Sequence, residues 1–341
     1  MKTIIFTAYS FIAALIGAGF ASGQEILVYF VSHGIYGVYG VVACAAIFAA
    51  FVFLVLYVCR IRRVESFDEF LDILPNKRIK QAVRWPVAVF SFAVYSAMLA
   101  SVGELLRDLY GLPPKITVLI CAVISYFIIN RGVSFVVNIN GVGGMILSVA
   151  VTACVAYILR YREFHVVSQS VGAAIDTAIY SGYNLIPIIP ILSSYALKLN
   201  GNKDIMSTAI SIGGVIVFMS LLMFAALNVY FGKVPLGEFP MLTLARRQNE
   251  IIEMIYTFIL SGAVITTLLS SGMGMIEAVV LKNKKTYLPV MISLAYFLAG
   301  MGFSRIVDTV YRYCGIAGFI IFTVIVKFCI QAVLQHKKSD I

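Results

Sequence analysis

The segment Gly17-Ala18-Gly19-Phe20-Ala21-Ser22-Gly23-Gln24-Glu25 interrupts an apolar run. Thr3 to Ile16 is long enough to enter a bilayer but too short to cross it, and Ile26 to Val31 resumes an apolar helical pattern. Each glycine weakens a helix by about 1 kcal/mol relative to Ala. A helix broken at membrane depth frees backbone N–H and C=O groups that lipid cannot satisfy. Such a break survives only where it lines a protein cavity or grips a ligand, and discontinuous helices of this kind form the binding sites of transporters. A secretory signal peptide is the competing reading: Lys2, an apolar core, then small residues near a cleavage point. The polar Gln24-Glu25 pair, however, runs straight back into apolar sequence, and the chain beyond it is apolar throughout.

Only 12% of the residues are charged and 61% are hydrophobic, with a mean hydropathy of +0.97. Soluble domains carry about 25% charged residues, so the composition points to an all-α polytopic membrane protein embedded in a lipid bilayer. A net charge of +10 raises the question of nucleic acid. The basic residues instead sit in loops between apolar runs, as the positive-inside rule requires, so no nucleic-acid partner is expected. Cys44, Cys59, Cys121, Cys154, Cys314 and Cys329 lie in or beside apolar runs without a C-x-x-C pair, and read as packing residues. His33, His165 and His336 are too scattered to form a metal site.

Ten spans are expected, at about 3–32, 36–59, 85–109, 115–130, 133–159, 172–198, 204–230, 250–281, 287–303 and 308–334. Between spans 2 and 3, Ser66-Phe67-Asp68-Glu69 reads as a capping box, and Phe67, Phe70, Leu71 and Leu74 share one face. This predicts an amphipathic helix over about 65–80 on the cytoplasmic surface. Span 6 is also interrupted: Tyr180-Ser181-Gly182-Tyr183-Asn184 is followed by Pro187 and Pro190, which unwind a helix midway. Phe231 to Asn249, with Pro235, Gly237 and Pro240, reads as a long loop folded over an entrance. Lys and Arg are more numerous in the loops on the side of the N-terminus, which predicts cytoplasmic termini in a plasma-membrane protein.

The two interruptions are five spans apart and enter from opposite sides. That is the arrangement of two inverted five-helix repeats, about 1–165 and 166–341, whose broken helices meet at mid-membrane. With its Gly-rich first break, its Ser-Gly-x-Asn sixth span and a Ser-Ser pair in span 8, the chain resembles the LeuT-fold transporters of the amino acid–polyamine–organocation superfamily. Ile16-Gly17-Ala18-Gly19-Phe20-Ala21-Ser22-Gly23-Gln24-Glu25 is similar to the bacterial YkvI-type membrane proteins. The resemblance covers essentially the whole chain. It implies alternating access and ion-coupled uptake of a small, amino-acid-like solute, with Na⁺ or H⁺ as the coupling ion and no other cofactor.

At the first break, N–H groups near Ser22, Gly23, Gln24 and Glu25 carry the positive end of a half-helix and suit a substrate carboxylate. Ala18, Gly19 and Phe20 complete that segment. Glu25 argues against a simple copy of such a site, since it puts an acid where the anion would sit. Three roles stay open for it: partner of a substrate ammonium, carrier of a coupling proton, or a helix N-terminal acid satisfied by the dipole. From span 6, Ser181, Gly182, Tyr183 and Asn184 are expected to line the pocket, and Tyr95 in span 3 is a candidate to close it. Asp176 reads as an interfacial acid. In span 8, Thr267, Ser270 and Ser271 share a face. Ser and Thr commonly glue membrane helices together. The resemblance instead implies that these hydroxyls hold Na⁺ together with main-chain oxygens near Gly17 and Phe20. Proton-coupled relatives place a lysine in span 5; this span has none, which favours Na⁺. Asn138 and Asn140 in span 5 are candidates for polar packing beside span 8.

Two readings of function remain: a secondary transporter, or a receptor of the same fold that binds a solute without turnover. An enzyme is not expected, since the chain has no H-E-x-x-H and no phosphate-binding glycine loop with Lys. The sequence leaves the solute and the oligomeric state open.

Overall fold

The computed structural model describes residues 8–9, 11–13, 17–160, 172–185, 187–237, 239–279 and 284–339. Every regular element among them is helical. In span 1, residues 8–9 and 11–13 are helical. The span continues as α1 (Ala18–Ser22) and α2 (Gln24–Tyr29), and ends in a 3₁₀ turn at Val31–His33. Two glycines set the interruptions. Gly17 is extended at φ −77°, ψ −178°, and Gly23 takes the left-handed conformation at φ 83°, which a side chain would resist.

α3 (Ile35–Ile61) is span 2. α4 (Phe67–Asp72) opens with the expected cap: Ser66 Oγ accepts the Glu69 N–H, and Glu69 Oε2 accepts the Glu65 N–H. It is shorter than the amphipathic helix expected over 65–80. Its apolar face, Phe67, Phe70 and Leu71, is turned inward and fully buried against the bundle. The remainder of that segment belongs to α5 (Lys77–Tyr110), so span 3 begins at Lys77 rather than near 85. A helix that continues out of the bilayer needs no apolar face there. Its polar first turns are held by the Asn76 cap and by an Arg84–Asp68 pair at 2.8 Å.

Spans 4 and 5 are α6 (Pro114–Ile129) and α7 (Val133–Leu159). Span 6 is broken as expected: α8 (Ala173–Leu185) and α9 (Ile189–Tyr195) meet at a bend of 51°. α10 (Asn202–Tyr230) is span 7, and α11 (Pro240–Arg246) is a short helix within the following loop. α12 (Glu250–Ala278) is span 8, ending short of the expected 281. α13 (Lys284–Ala299) is span 9. α14 (Phe303–Ile306), a π turn at Val307–Tyr311 and α15 (Arg312–Ser339) make span 10. The repeat boundary expected at 165/166 lies outside the described residues.

Six of these helices are individually long and apolar enough to cross a membrane, and the bent α8–α9 pair makes a seventh. α6 and the apolar part of α13 (Thr286–Ala299) are shorter apolar helices. With them and the broken span 1, the chain is a multi-pass membrane protein of ten spans. The packing carries the two-fold relation: α5 lies along α12, α3 along α10, α6 along α13, and α2 touches α8. The first four spans thus each contact the span five positions later, as elements do when they flank a symmetry axis. Apolar side chains such as Phe127, Phe258, Phe297 and Tyr313 are left exposed around the perimeter, where a bilayer would cover them.

Candidate functional site

The two interruptions face each other across a small cavity of about 30 Å³, room for one or two waters. Gly17, Gly19 and Glu25 come from span 1; Tyr183, Asn184 and Pro187 come from span 6. α5 adds one stripe, Phe90, Val94 and Met98, spaced four residues apart. Thr267 of α12 and Tyr311 of the span-10 π turn close the remainder.

Glu25 dominates the chemistry. Its residue is 6% exposed. Its side chain folds back over α1: a Cβ at position 19 would fall 2.1 Å from Glu25 Oε1, so only glycine leaves that place open. Tyr183 lies within reach of the carboxylate, without the geometry of a full hydrogen bond, because Glu25 Oε2 and Tyr183 Oη both lack a partner among the described residues. No Lys, Arg or His is among the described residues lining the cavity. A buried carboxylate with no cationic partner among the described lining residues is costly unless a cation or a proton serves it.

Around it is a cluster of rings. Tyr183 sits 5.2 Å from Tyr311, 5.4 Å from Tyr180, 5.7 Å from Tyr29 and 5.9 Å from Phe90. Phe90 and Tyr311 meet edge-to-face at 5.4 Å. The cluster packs broken span 1 against broken span 6 and gives the cavity aromatic walls.

Span 8 supplies hydroxyls next to Gly17. A Cβ there would lie 3.2 Å from Thr267 Oγ1, itself buried with no partner among the described residues. Ser271 Oγ donates to Thr267 O at 2.7 Å. Ser270 Oγ donates to Thr266 O at 2.9 Å and accepts from Asn140 Nδ2, leaving Asn140 Oδ1 without a partner. Asn140 therefore does lie beside span 8. A further bond, Tyr256 Oη to Ala21 O at 2.7 Å, ties α12 to α1.

Several expected pocket residues point elsewhere. Ser181 donates to Thr177 O at 2.8 Å and to Cys44 Sγ at 3.5 Å, facing α3. Gly182 lies against span 10, where an added Cβ would meet Gly315 O at 2.3 Å. Tyr95 bonds Ser125 of α6 through its hydroxyl at 2.6 Å and packs its ring by Gly272. It is a buttress between spans 3, 4 and 8. Ser22 is spent internally, donating to Gly19 O at 2.9 Å and accepting the Gln24 N–H at 3.2 Å. Phe20 is buried, Gln24 is half-buried with an unpartnered Oε1, and Ala18 opens α1 with its backbone. Among the described span-1 residues only Gly17, Gly19 and Glu25 reach the cavity, so its main chain belongs to the start of α1 rather than to Ser22–Glu25.

Two features reach from the cavity towards the face opposite the arginine-rich end of α3. His33 Nε2 and Asp176 Oδ2 pair at 2.8 Å, joining the ends of the two broken spans; Asp176 is thus partnered, and not simply interfacial. α11 rests on the Gly23 turn of span 1, with Met241 Cγ 2.7 Å from where a Cβ of Gly23 would be. Arg246 anchors it to Asp108 at 3.0 Å and Glu253 at 2.7 Å.

No family model matches the chain. It is 23% identical over 317 residues to YkvI, an uncharacterised membrane protein of Bacillus subtilis strain 168, covering 90% of this chain and 91% of YkvI. Among solved structures it is similar to a Na⁺-coupled sialic acid symporter in a substrate-bound outward-open state, with a TM-score of 0.67 at 13% identity, covering 96% of this chain and 78% of the symporter. MhsT in complex with L-phenylalanine matches with a TM-score of 0.67 at 14% identity, covering 94% of this chain and 87% of MhsT. Mhp1, a nucleobase-cation-symport-1 family transporter in a closed conformation with bromovinylhydantoin bound, gives 0.66 at 14% identity, over 95% and 77% of the two chains. The chain has the LeuT fold: ten helices in two inverted repeats, with the first and sixth discontinuous.

Proposed function

We propose that this protein is a secondary transporter that moves a small, amino-acid-like solute by alternating access, coupled to Na⁺. The observation that carries the reading is the cavity at the meeting point of two broken spans, with Glu25 Oε2 in its wall unpartnered among the described residues. A binding site at the centre of an inverted repeat can be opened to either side by moving one set of helices against the other. Of the solved proteins that share the fold, one is a Na⁺-coupled symporter and another a nucleobase-cation-symport-1 family transporter. Both termini would lie in the cytoplasm, with α11 folded over the site from outside, since the basic residues concentrate at the opposite end.

The coupling ion travels as cargo. Hard oxygen donors suit it, and the unpartnered Thr267 Oγ1 beside Gly17 is one. A serine that donates its hydrogen back to its own helix keeps its oxygen lone pairs for a cation, as Ser271 does. Thr267, Ser271 and main-chain oxygens of Gly17 and Phe20 would hold Na⁺. Ser270 is the weaker candidate, because it already accepts from Asn140. Reconstituted protein should accumulate a labelled solute when an inward Na⁺ gradient is imposed, and Thr267→Ala with Ser271→Ala should remove Na⁺-dependent thermal stabilisation. Binding without gradient-driven accumulation would assign the protein as a receptor. Accumulation driven equally by H⁺ in the absence of Na⁺ would reject the sodium site.

A further inference from the structure

The cavity is asymmetric in charge, and this bears on what it can accept. In a broken-helix site, the main chain freed at the break is the natural place for a substrate's anionic group. Here that place is taken. Glu25 Oε1 lies against Gly19, occupying the space a side chain at position 19 would fill. A carboxylate arriving from outside would meet a carboxylate already seated on the loosened main chain, with no Lys, Arg or His in the described lining to offset two negative charges.

The other walls suit a positive group. Phe90, Tyr183 and Tyr311 line the same cavity as Glu25 and hold one another at ring distances of 5.2 to 5.9 Å. Aromatic faces attract an ammonium through their quadrupoles, and more strongly where water is excluded. The volume of about 30 Å³ suits a headgroup as small as a primary ammonium. Bulkier headgroups would have to displace rings. Val94 and Met98, one and two turns along α5 from Phe90, extend the wall as apolar surface for a short hydrocarbon chain.

We propose that the site takes a small primary amine as its ammonium form, a solute without a carboxylate, with Glu25 as its counter-charge and Phe90, Tyr183 and Tyr311 as its walls. This rests on the transporter reading and narrows its amino-acid-like solute to the amine end alone. Thr267, one of the oxygen donors proposed for sodium, lines the same cavity; the rest of its side-chain lining beside Glu25 is mostly ring and hydrocarbon.

The test uses three probes of one size that differ in charge: methylammonium, methanol and formate. Each is titrated into the purified full-length protein at constant ionic strength, with unfolding temperature as the readout, and counterflow of radiolabelled methylammonium is measured in proteoliposomes against protein-free vesicles. Methylammonium alone should stabilise the protein. Glu25→Gln should weaken that response at least tenfold, Glu25→Asp should retain part of it, and Phe90→Leu should weaken it about fivefold. The Phe90→Leu result stands by itself if Glu25→Gln does not fold. Equal stabilisation by formate or methanol, no response to methylammonium, or a response unchanged in both Glu25→Gln and Phe90→Leu overturns the proposal. If methylammonium binds through Glu25 but shows no counterflow, the ammonium site stands and the transporter reading fails. If an α-amino acid is driven by a Na⁺ gradient while methylammonium does not bind, the reverse holds.

Discussion

The two broken spans reach the same cavity by opposite chemistry. Span 1 is opened by glycines: Gly17 is extended, Gly23 is left-handed, and the five-residue α1 between them keeps its hydrogen bonds local. Span 6 is opened by prolines, with Pro187 in the break between α8 and α9 and Pro190 at the start of α9. A glycine break leaves N–H groups and no side chain, so another group can lie directly on the backbone, as Glu25 does at Gly19. A proline break removes N–H donors and leaves side chains to do the lining, as Tyr183 and Asn184 do. The first break is therefore intolerant of any added atom, whereas the second depends on what its flanking side chains contribute.

Substitutions can break or sharpen that contrast. Gly23→Ala should cost the most, about 3 kcal/mol. A left-handed residue with a Cβ costs about 1–2 kcal/mol, and the new methyl would meet Met241 of α11 at 2.7 Å. Equilibrium unfolding in detergent measures it, and a loss below 1 kcal/mol would show that span 1 does not need its glycine. Gly182→Ala comes next at about 2 kcal/mol, by overpacking α8 against span 10. Solute binding should survive it, because that face of α8 looks away from the cavity; lost binding with unchanged stability would put Gly182 back in the site. His33→Ala should cost about 1 kcal/mol by leaving Asp176 without its partner, with His33→Ala/Asp176→Asn recovering part of the loss in a double-mutant cycle. Pro187→Ala is expected to be mildest, within about 1 kcal/mol, since Pro190 still prevents a continuous helix. A loss as large as that of Gly23→Ala would erase the distinction between the two breaks.

The interruptions were legible because their causes are local. Glycine and proline act on their own φ angle and their own N–H, so position in sequence translates directly into position in space. The span-3 boundary was missed for the opposite reason: Lys77 to Arg84 is too polar to look like a span, yet it is helical because α5 continues beyond the apolar layer. The pocket was partly misread through helical phase. Tyr180 and Tyr183 are three residues apart and reach one aromatic cluster, while Ser181 and Gly182 between them are turned 100° and 200° away, onto α3 and span 10. The stripe Phe90, Val94 and Met98 carried a readable spacing, but nothing local distinguished a cavity wall from ordinary packing. His33 with Asp176, and Tyr311 over Glu25, join residues far apart in sequence; only the folded bundle reveals them.

The Tyr256 hydroxyl that grips Ala21 O has a mechanical corollary. It pins the middle of the first crossing to the eighth, so in the proposed transport cycle α1 would serve as a fixed axle between the segments on either side. Any swing of the N-terminal arm must be taken up on the Gly17 side of the pin, and any tilt of α2 at Gly23, where α11 rests. On the transport cycle proposed above, the two doors to the cavity would have separate hinges, one turning while the other stays shut.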